Sequence, residues 1–372
     1  VGFFTSKYGI SEAVYALAAI SGGKDQTLAR LETGEVLGWG GAGSGRIISA
    51  NADICSPIRN TEAKPVYIRP LTRWVDVSAG FGVSLGLSDQ GQVWIWGFCQ
   101  IAVGGKTQFT EAPVYIDELK NISKLEAGQF LYAAIDETRR VYTWGFNTDG
   151  AMGQASAQIN SPPVLVDLPE TKNIVIGDQF MLALSGAGEI YAWGNNSSGQ
   201  LGLGHLDSVA HPELIRTSSK IVNIAAGSTH ALALSAQGEI FGWGSNHYGQ
   251  IAVEQKAGNS RPAYITKPVR IPFPEKMASI AAGMHCSIAL SSSGNVYTWG
   301  WNGCGQLGHG DLQSRSKPTR IASLSGVRAI ASGEMHVLAL GQKGLLGWGS
   351  NDSGQMGKAT VKQMTPYSIL ES

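Results

Sequence analysis

Charge of one sign is what this chain most plainly lacks. Its 372 residues carry 28 basic and 28 acidic side chains and no run of five or six like charges. A sequence-wide attraction to phosphate backbones is thereby excluded, and no nucleic-acid partner is expected. Cysteine is scarce: Cys55, Cys99, Cys286 and Cys304 lie far apart, without metal-type spacing. They are too few to staple a chain of this size and read as free thiols in a reducing compartment. No stretch approaches the roughly 18 apolar residues of a membrane span, and helical periodicity appears nowhere at length. His205, His211, His247 and His309 stand singly, so neither a metal nor another cofactor is expected. Two strings suggestive of chemistry fail on context. Gly82-Val83-Ser84-Leu85-Gly86 has the form G-x-S-x-G but sits inside an apolar strand segment rather than a strand-turn-helix elbow. Gly104-Gly105-Lys106-Thr107 lacks the leading glycine of a phosphate loop and reads as a polar turn.

Against these absences stand 49 glycines and ten tryptophans, with charged residues at only 15%. Many tight turns and much half-buried surface follow, an all-β signature. The dipeptide Trp-Gly occurs seven times, at Trp39, Trp96, Trp144, Trp193, Trp243, Trp299 and Trp348, at intervals of 57, 48, 49, 50, 56 and 49 residues. A glycine precedes the Trp by 16 residues in six copies (Gly23, Gly80, Gly128, Gly177, Gly227, Gly283) and by 15 in the seventh (Gly333). Between these anchors the fifth copy reads IVNIAAGSTHALALSAQGEIFGWG, three short strands divided by glycine-bearing turns. A Pro-x-x-Val/Ile pattern beyond the polar loop, as at Pro212 to Ile215, supplies a fourth strand. Four strands per repeat make one blade, and seven repeats predict a seven-bladed β-propeller formed by residues 1–372 as one domain, with 1–12 outside the repeat. The seven Trp rings are expected between blades, as structural residues. The first copy has no preceding Pro-x-x-Ile strand, whereas Pro366-Tyr367-Ser368-Ile369-Leu370 stands spare at the far end. This predicts a ring closed by the C-terminal strand joining the first blade.

Written as AAGxxHxLALxxxGxVYxWGxNxxGQLG, the unit resembles the regulator of chromosome condensation repeat family over nearly the whole chain. The best copies are Ala226 to Leu234 with Gly242 to Asn246, and the loops Gly199-Gln200-Leu201-Gly202 and Gly305-Gln306-Leu307-Gly308. The founding member of that family is a guanine-nucleotide exchange factor for the small GTPase Ran, and other members are non-catalytic protein-interaction modules. The resemblance therefore implies a small-GTPase partner, Ran-like or other, or a different protein partner, and no covalent chemistry. An exchange factor of this kind uses acidic and histidine residues in the loops after the repeat glycine and after Trp-Gly, with a protruding hairpin wedge.

Carried over by position, the candidates after the repeat glycine are Asp178, Gln179, His230, Met284, His285, Glu334 and His336; after Trp-Gly they are Asn147 and Asp149. His230 and His336 hold the family's usual histidine position, where the bland role is a hydrogen bond within the blade. His285 falls one residue early, Cys286 takes its slot, and this shift favours His285 as an outward-facing histidine. Copies two, three and four have Val83, Leu131 and Phe180 in that slot, and Phe81, Phe130 and Phe180 would be apolar residues near one rim, which reads either as a repacked core, the favoured reading, or as an apolar partner surface. Inserts within Gly41 to Lys64 and within Gln250 to Pro274 are wedge-sized. The family's basic tail is missing from Val1 to Ile20, where Lys7 is the only basic residue. A cytoplasmic monomer, including a bacterial effector in a host cytoplasm, fits these features.

Overall fold

A computed structural model of the chain describes residues 17–41, 62–68, 72–103, 106–155, 160–253, 263–342, 344–357 and 362–370. The 1–12 segment, Cys55 and most of the first insert lie outside the described residues, as does 254–262 of the second. Among the described residues, twenty-eight strands form seven antiparallel four-stranded sheets, and successive sheets pack face to face around a central channel. The chain is an all-β seven-bladed propeller.

Blade five shows why the repeat folds this way. Its first strand, Ile221–Ala226, lines the channel; the second, His230–Ser235, is buried along its whole length; the third, Ile240–Ser245, ends in Trp-Gly. The fourth, Tyr264–Ile271, is the outer strand, with Tyr264, Lys267 and Arg270 exposed and pairs of partly covered residues between them. The run Ala231-Leu232-Ala233-Leu234 suits the second strand because neighbouring blades cover both its faces.

The two repeated glycines have different causes. A Cβ on Gly227 would come within 2.5 Å of the Gly283 carbonyl oxygen in the next blade, so close backbone approach excludes a side chain there. The glycine of Trp-Gly instead needs its left-handed backbone, as at Gly244 with φ +97°. Each repeat Trp is at most 2% exposed, and among the described residues the indoles of Trp39, Trp193, Trp243, Trp299 and Trp348 donate Nε1–H to a carbonyl of the preceding blade; Trp243 to Gln200 O (2.8 Å) and Trp299 to Gln250 O (2.8 Å) are examples. The accepting loops are shaped by their own sequence. Asn196 Oδ1 accepts the Leu201 N–H at 3.0 Å, and the same Asn-to-backbone bond recurs at Asn246, Asn302 and Asn351.

Closure of the ring departs from the sequence expectation. The C-terminal strand, Gln363–Leu370, pairs with Gly344–Gly349 of the seventh blade, through Leu345↔Leu370 and Gly347↔Tyr367, and does not join the first. Blade one takes its fourth strand from Glu62–Tyr67, which includes Pro65. Each Pro-x-x-Ile strand hydrogen-bonds back to the Trp-Gly strand before it, so every blade is one contiguous stretch of chain. Blades seven and one meet through side chains and single hydrogen bonds. Leu17, Leu31 and Trp39 share a core with Leu338, Leu345 and Leu370, Trp39 Nε1–H donates to Gln355 O (2.9 Å), and Glu334 N–H donates to Gly23 O (3.2 Å).

Candidate functional site

Antiparallel order places the turn between strands one and two at the same end of every blade as the loop between strands three and four. All the sequence candidates therefore belong to the turns and strand ends of one end of the ring, the upper face. The residue after each repeat glycine (Lys24, Phe81, Gln129, Asp178, Ser228, Met284, Glu334) stands at the channel mouth. Their backbones are laced together. The N–H of Asp178 donates to Ser228 O (2.9 Å), that of Ser228 to Met284 O (3.2 Å), and that of Met284 to Glu334 O (2.8 Å).

Asp178 and Glu334 are half-buried carboxylates on this rim. Burial raises the Asp178 carboxyl above the usual range, against a hydrogen bond from Ser228. Burial pushes Glu334 up to about 7; Lys24 opposes the shift, while Asp178 and Asp25 reinforce it. The Lys24 ammonium lies over the Phe81 ring, 3.8 Å from its centroid. Gln179 is exposed with φ +59°, and Met284 is partly covered. His285 is half-buried and packs against Tyr248 (5.2 Å between centroids) and Trp301 (6.3 Å), so it faces out of its blade into an aromatic group on the upper face. Burial, then the His247 charge, lowers its pKa.

His230 and His336 are fully buried and bond across the blade boundary rather than within the blade. His230 Nε2 contacts Ser287 Oγ at 3.0 Å, and Ser287 donates its hydroxyl to Gln250 O (2.8 Å). His336 Nε2 contacts Thr27 Oγ1 at 3.1 Å, and Thr27 donates to Gln355 O (3.1 Å). Since each hydroxyl proton is committed to a carbonyl, each histidine is the donor, with its proton on Nε2. Both are held neutral, burial lowering His230 to about 3 and His336 to about 4. Neither is on the surface. Asn147, likewise, uses its side chain inside its loop, accepting Met152 N–H (2.9 Å) and donating to Gln154 O (3.1 Å). Asp149 stays at the rim and accepts from Asn195 Nδ2 (2.7 Å) of the next blade.

The three apolar slots, Val83, Leu131 and Phe180, are all buried core, whereas Phe130, one residue before its slot, is 38% exposed and stacks between Phe81 (5.6 Å) and Phe146 (5.4 Å). Ser84 of the G-x-S-x-G string is fully buried, accepting from Gln26 Nε2 (3.2 Å), and is no nucleophile. Cys286 is a buried free thiol pushed up to about 12 by burial, and Cys304 is also unpaired.

One feature of this face escapes the sequence reading. The third and fourth strands of blade two, Val93–Val103 and Lys106–Tyr115, continue their ladder past the Trp-Gly level, through Gln100↔Phe109 to Val103↔Lys106. The extra residues lengthen the hairpin by about 15–20 Å. It replaces the Gly-Gln-Leu-Gly loop that serves the next Trp in the typical blade, and Trp144 Nε1 is accordingly buried with no partner among the described residues.

Residues 104–371 match the profile described as RCC1-like domain (WD40_RLD), well over half of the chain. The chain belongs to the RCC1-like domain family. This RCC1-like propeller is 40% identical over 99 residues to the ultraviolet-B receptor UVR8 of Arabidopsis thaliana, 26% of this chain and 22% of that protein. It is 26% identical over 354 residues to the E3 ubiquitin-protein ligase HERC2 of Homo sapiens, 91% of this chain but 6% of the ligase. The match thus spans less than a quarter of either protein. Among solved structures, human WBSCR16 superposes with a TM-score of 0.78 at 23% identity, covering 90% of this chain and 94% of that one. Prp20p of Saccharomyces cerevisiae, in a structure described with its binding properties to Gsp1p and histones, gives 0.72 at 21% identity, covering 98% and 90%.

The channel wall of this RCC1-like propeller holds one carboxylate with a consequence for stability. Burial pushes Glu126 from its usual 4.5 up to about 7, with Lys124 opposing and Asp76 reinforcing. Between those two values the folded chain holds a proton that the unfolded chain has released, so stability falls as pH rises through that window. Glu126→Gln is expected to raise the unfolding free energy by about 1–3 kcal/mol at about pH 8 and to leave it unchanged near pH 4. Urea denaturation at both pH values checks this; an equal effect at both would remove the carboxyl as the cause.

Proposed function

We propose that this propeller binds a small GTPase with its upper face and acts as a guanine-nucleotide exchange factor for Ran or a related GTPase. The observation that carries the reading is the gathering, at one end of the ring, of the acidic rim residues Asp178 and Glu334, the outward His285, and the long hairpin of blade two. Such a face does no bond-making chemistry. It accelerates nucleotide release by binding the empty GTPase more tightly than the loaded one, which is differential affinity between two states. The carboxylates compete for groups that hold phosphate and its counter-ion, and the hairpin is long enough to enter a nucleotide cleft. The likeness to Prp20p, whose structure is described with its binding to Gsp1p, supports the same reading. We place this activity in a cytoplasmic monomer.

A second reading, a non-catalytic interaction module, is favoured by the withdrawal of His230 and His336 into the blade boundaries, which leaves only His285 of the three candidate histidines on the upper face. Release of fluorescent GDP from a panel of small GTPases, Ran first, separates the two. Acceleration of one member is the expected result. Excising Gln100 to Phe109, which shortens the hairpin without touching the Trp-Gly core, is expected to slow catalysed release by about tenfold or more with an unchanged thermal midpoint. No acceleration on any member by the correctly folded protein would overturn the exchange reading in favour of the module.

A further inference from the structure

The channel that opens on the upper face is small and lopsided. Its cavity measures about 290 Å³, at the floor of the range for small-molecule pockets and of a size for one extended side group. Over blades four to seven its wall is aliphatic, with Val175, Ala225, Ala281 and Ala331 at one level. At the same level of blades one to three stand Ser21, Ser78 and Glu126. The two serines have a structural task. Ser21 Oγ accepts the Ala79 N–H of the next blade (3.0 Å) and Ser78 Oγ accepts the Ala127 N–H (3.0 Å), capping the bare inner edge of each sheet. Glu126 occupies the third capping slot but makes no such bond. The ring of strands encloses it, what exposure it retains is to the lumen, and its carboxylate meets no hydrogen-bond donor among the described residues. Above it, at the mouth, Glu334 and Asp178 add two further carboxylates, while the Lys24 ammonium is held over the Phe81 ring.

We propose that this channel receives a single alkyl cation from the upper face, an ammonium or guanidinium on an aliphatic stem, with the stem along the alanine wall and the charged head at Glu126. A carboxylate enclosed by protein without a partner is costly, and a cation delivered to it in a narrow lumen walled by protein interacts more strongly than on an open surface. An aliphatic stem with a terminal charge matches a wall that is apolar on one side and anionic on the other. Glu334 and Asp178 attract the cation to the mouth. The groups facing Glu126 are Lys124 on its own strand and Asp76 on the neighbouring blade; those facing Glu334 are Lys24, Asp25 and Asp178. The same chemistry is carried by a lysine or arginine at the tip of a partner's loop and by a free polyamine.

The test uses agmatine, a capped pentapeptide with one central arginine, and 1-pentanol as the uncharged stem, each added to the whole protein while the Glu126 carboxyl is followed by carbon-13 NMR and assigned by its loss in Glu126→Gln. A bound cation favours the ionised carboxylate, so agmatine at about 10 mM is expected to move its titration midpoint down by at least about one pH unit, equivalent to tenfold. Glu126→Gln is expected to weaken agmatine binding by about tenfold or more, and Glu334→Gln by about threefold. A response to the peptide as well points to a partner's side chain, and a response to agmatine alone to a free polyamine; either supports the site. No shift with either cation, or an equal shift with 1-pentanol, overturns it. GTPase exchange plays no part in these readouts, so failure here leaves the proposed activity standing.

Discussion

Trp243→Ala is expected to lower the unfolding free energy by about 3–5 kcal/mol, read as a fall in the urea midpoint. The indole is fully buried among Leu201, Ile215, Ile224 and Ala233 between blades four and five, and its Nε1–H is spent on Gln200 O. Removing it leaves a cavity that the neighbouring backbone cannot fill, because Gly202 already lies against the ring. The comparison of Trp243→Phe with Trp144→Phe is sharper. Both lose similar ring volume, but Trp243→Phe also strips a donor from a buried carbonyl, while Trp144→Phe removes an indole N–H that has no partner among the described residues. The first should cost about 1–3 kcal/mol more than the second. Equal costs would mean that the carbonyl bond adds nothing beyond packing.

His336→Cys is expected to cost about 2–4 kcal/mol, and Thr27→Val in the same molecule to recover part of that loss. At the boundary of blades seven and one, His336 donates to Thr27, Thr27 donates to Gln355 O, and Trp39 donates to the same carbonyl. The His336→Cys substitution breaks the first link and leaves a hydroxyl lone pair facing apolar surroundings. Joined with Thr27→Val, it reproduces the combination already present between blades six and seven, where Cys286 stands beside Val337 in one core. A double-mutant cycle should return a coupling of about 0.5–3 kcal/mol, and strict additivity would rule out the link. The parent also carries a pH signature. His336 ionises near 6.5 when unfolded but only near 4 when folded, so stability is lost as pH falls through that window, and His336→Cys should flatten this slope.

The seven anchors made the propeller and its blade count legible, because a Trp, a close-approach glycine and a positive-φ glycine each meet a requirement that repeats around the ring. The phase of the fourth strand was not legible in the same way. Pro212 to Ile215 lies six residues from Ile221 but is separated from Trp193 by a long loop, and sequence proximity favours the wrong neighbour. Hydrogen bonding decides otherwise, since an antiparallel partner for Ile190–Gly194 lies across that loop. The placement of the candidate residues was partly readable. Asp178, Glu334 and His285 do reach the upper face, whereas Asn147, His230 and His336 serve the frame.

A signal for the buried histidines was present in the slot that follows them. Gln26, His230 and His336 each face a hydroxyl in the second slot of the next blade (Ser84, Ser287, Thr27), whereas Phe180 and Cys286 precede Ala231 and Val337. At these five boundaries the varied residues thus pair polar with hydroxyl and apolar with apolar, which reading one repeat at a time conceals. Gly104-Gly105 between two strand-like runs was likewise a hairpin signal, obscured by its likeness to a polar turn.

Because each blade is a contiguous segment and, among the described residues, no strand is shared across the seam, the junction of blades seven and one is chemically one junction among seven. Its histidine-hydroxyl-carbonyl link is the same as that between blades five and six. The ring resembles a split washer more than a sewn hoop. Each blade carries all four of its own strands, so a cut between two blades divides no described sheet, and what ties a blade into the ring is the match of the residues on its two faces to those of its neighbours.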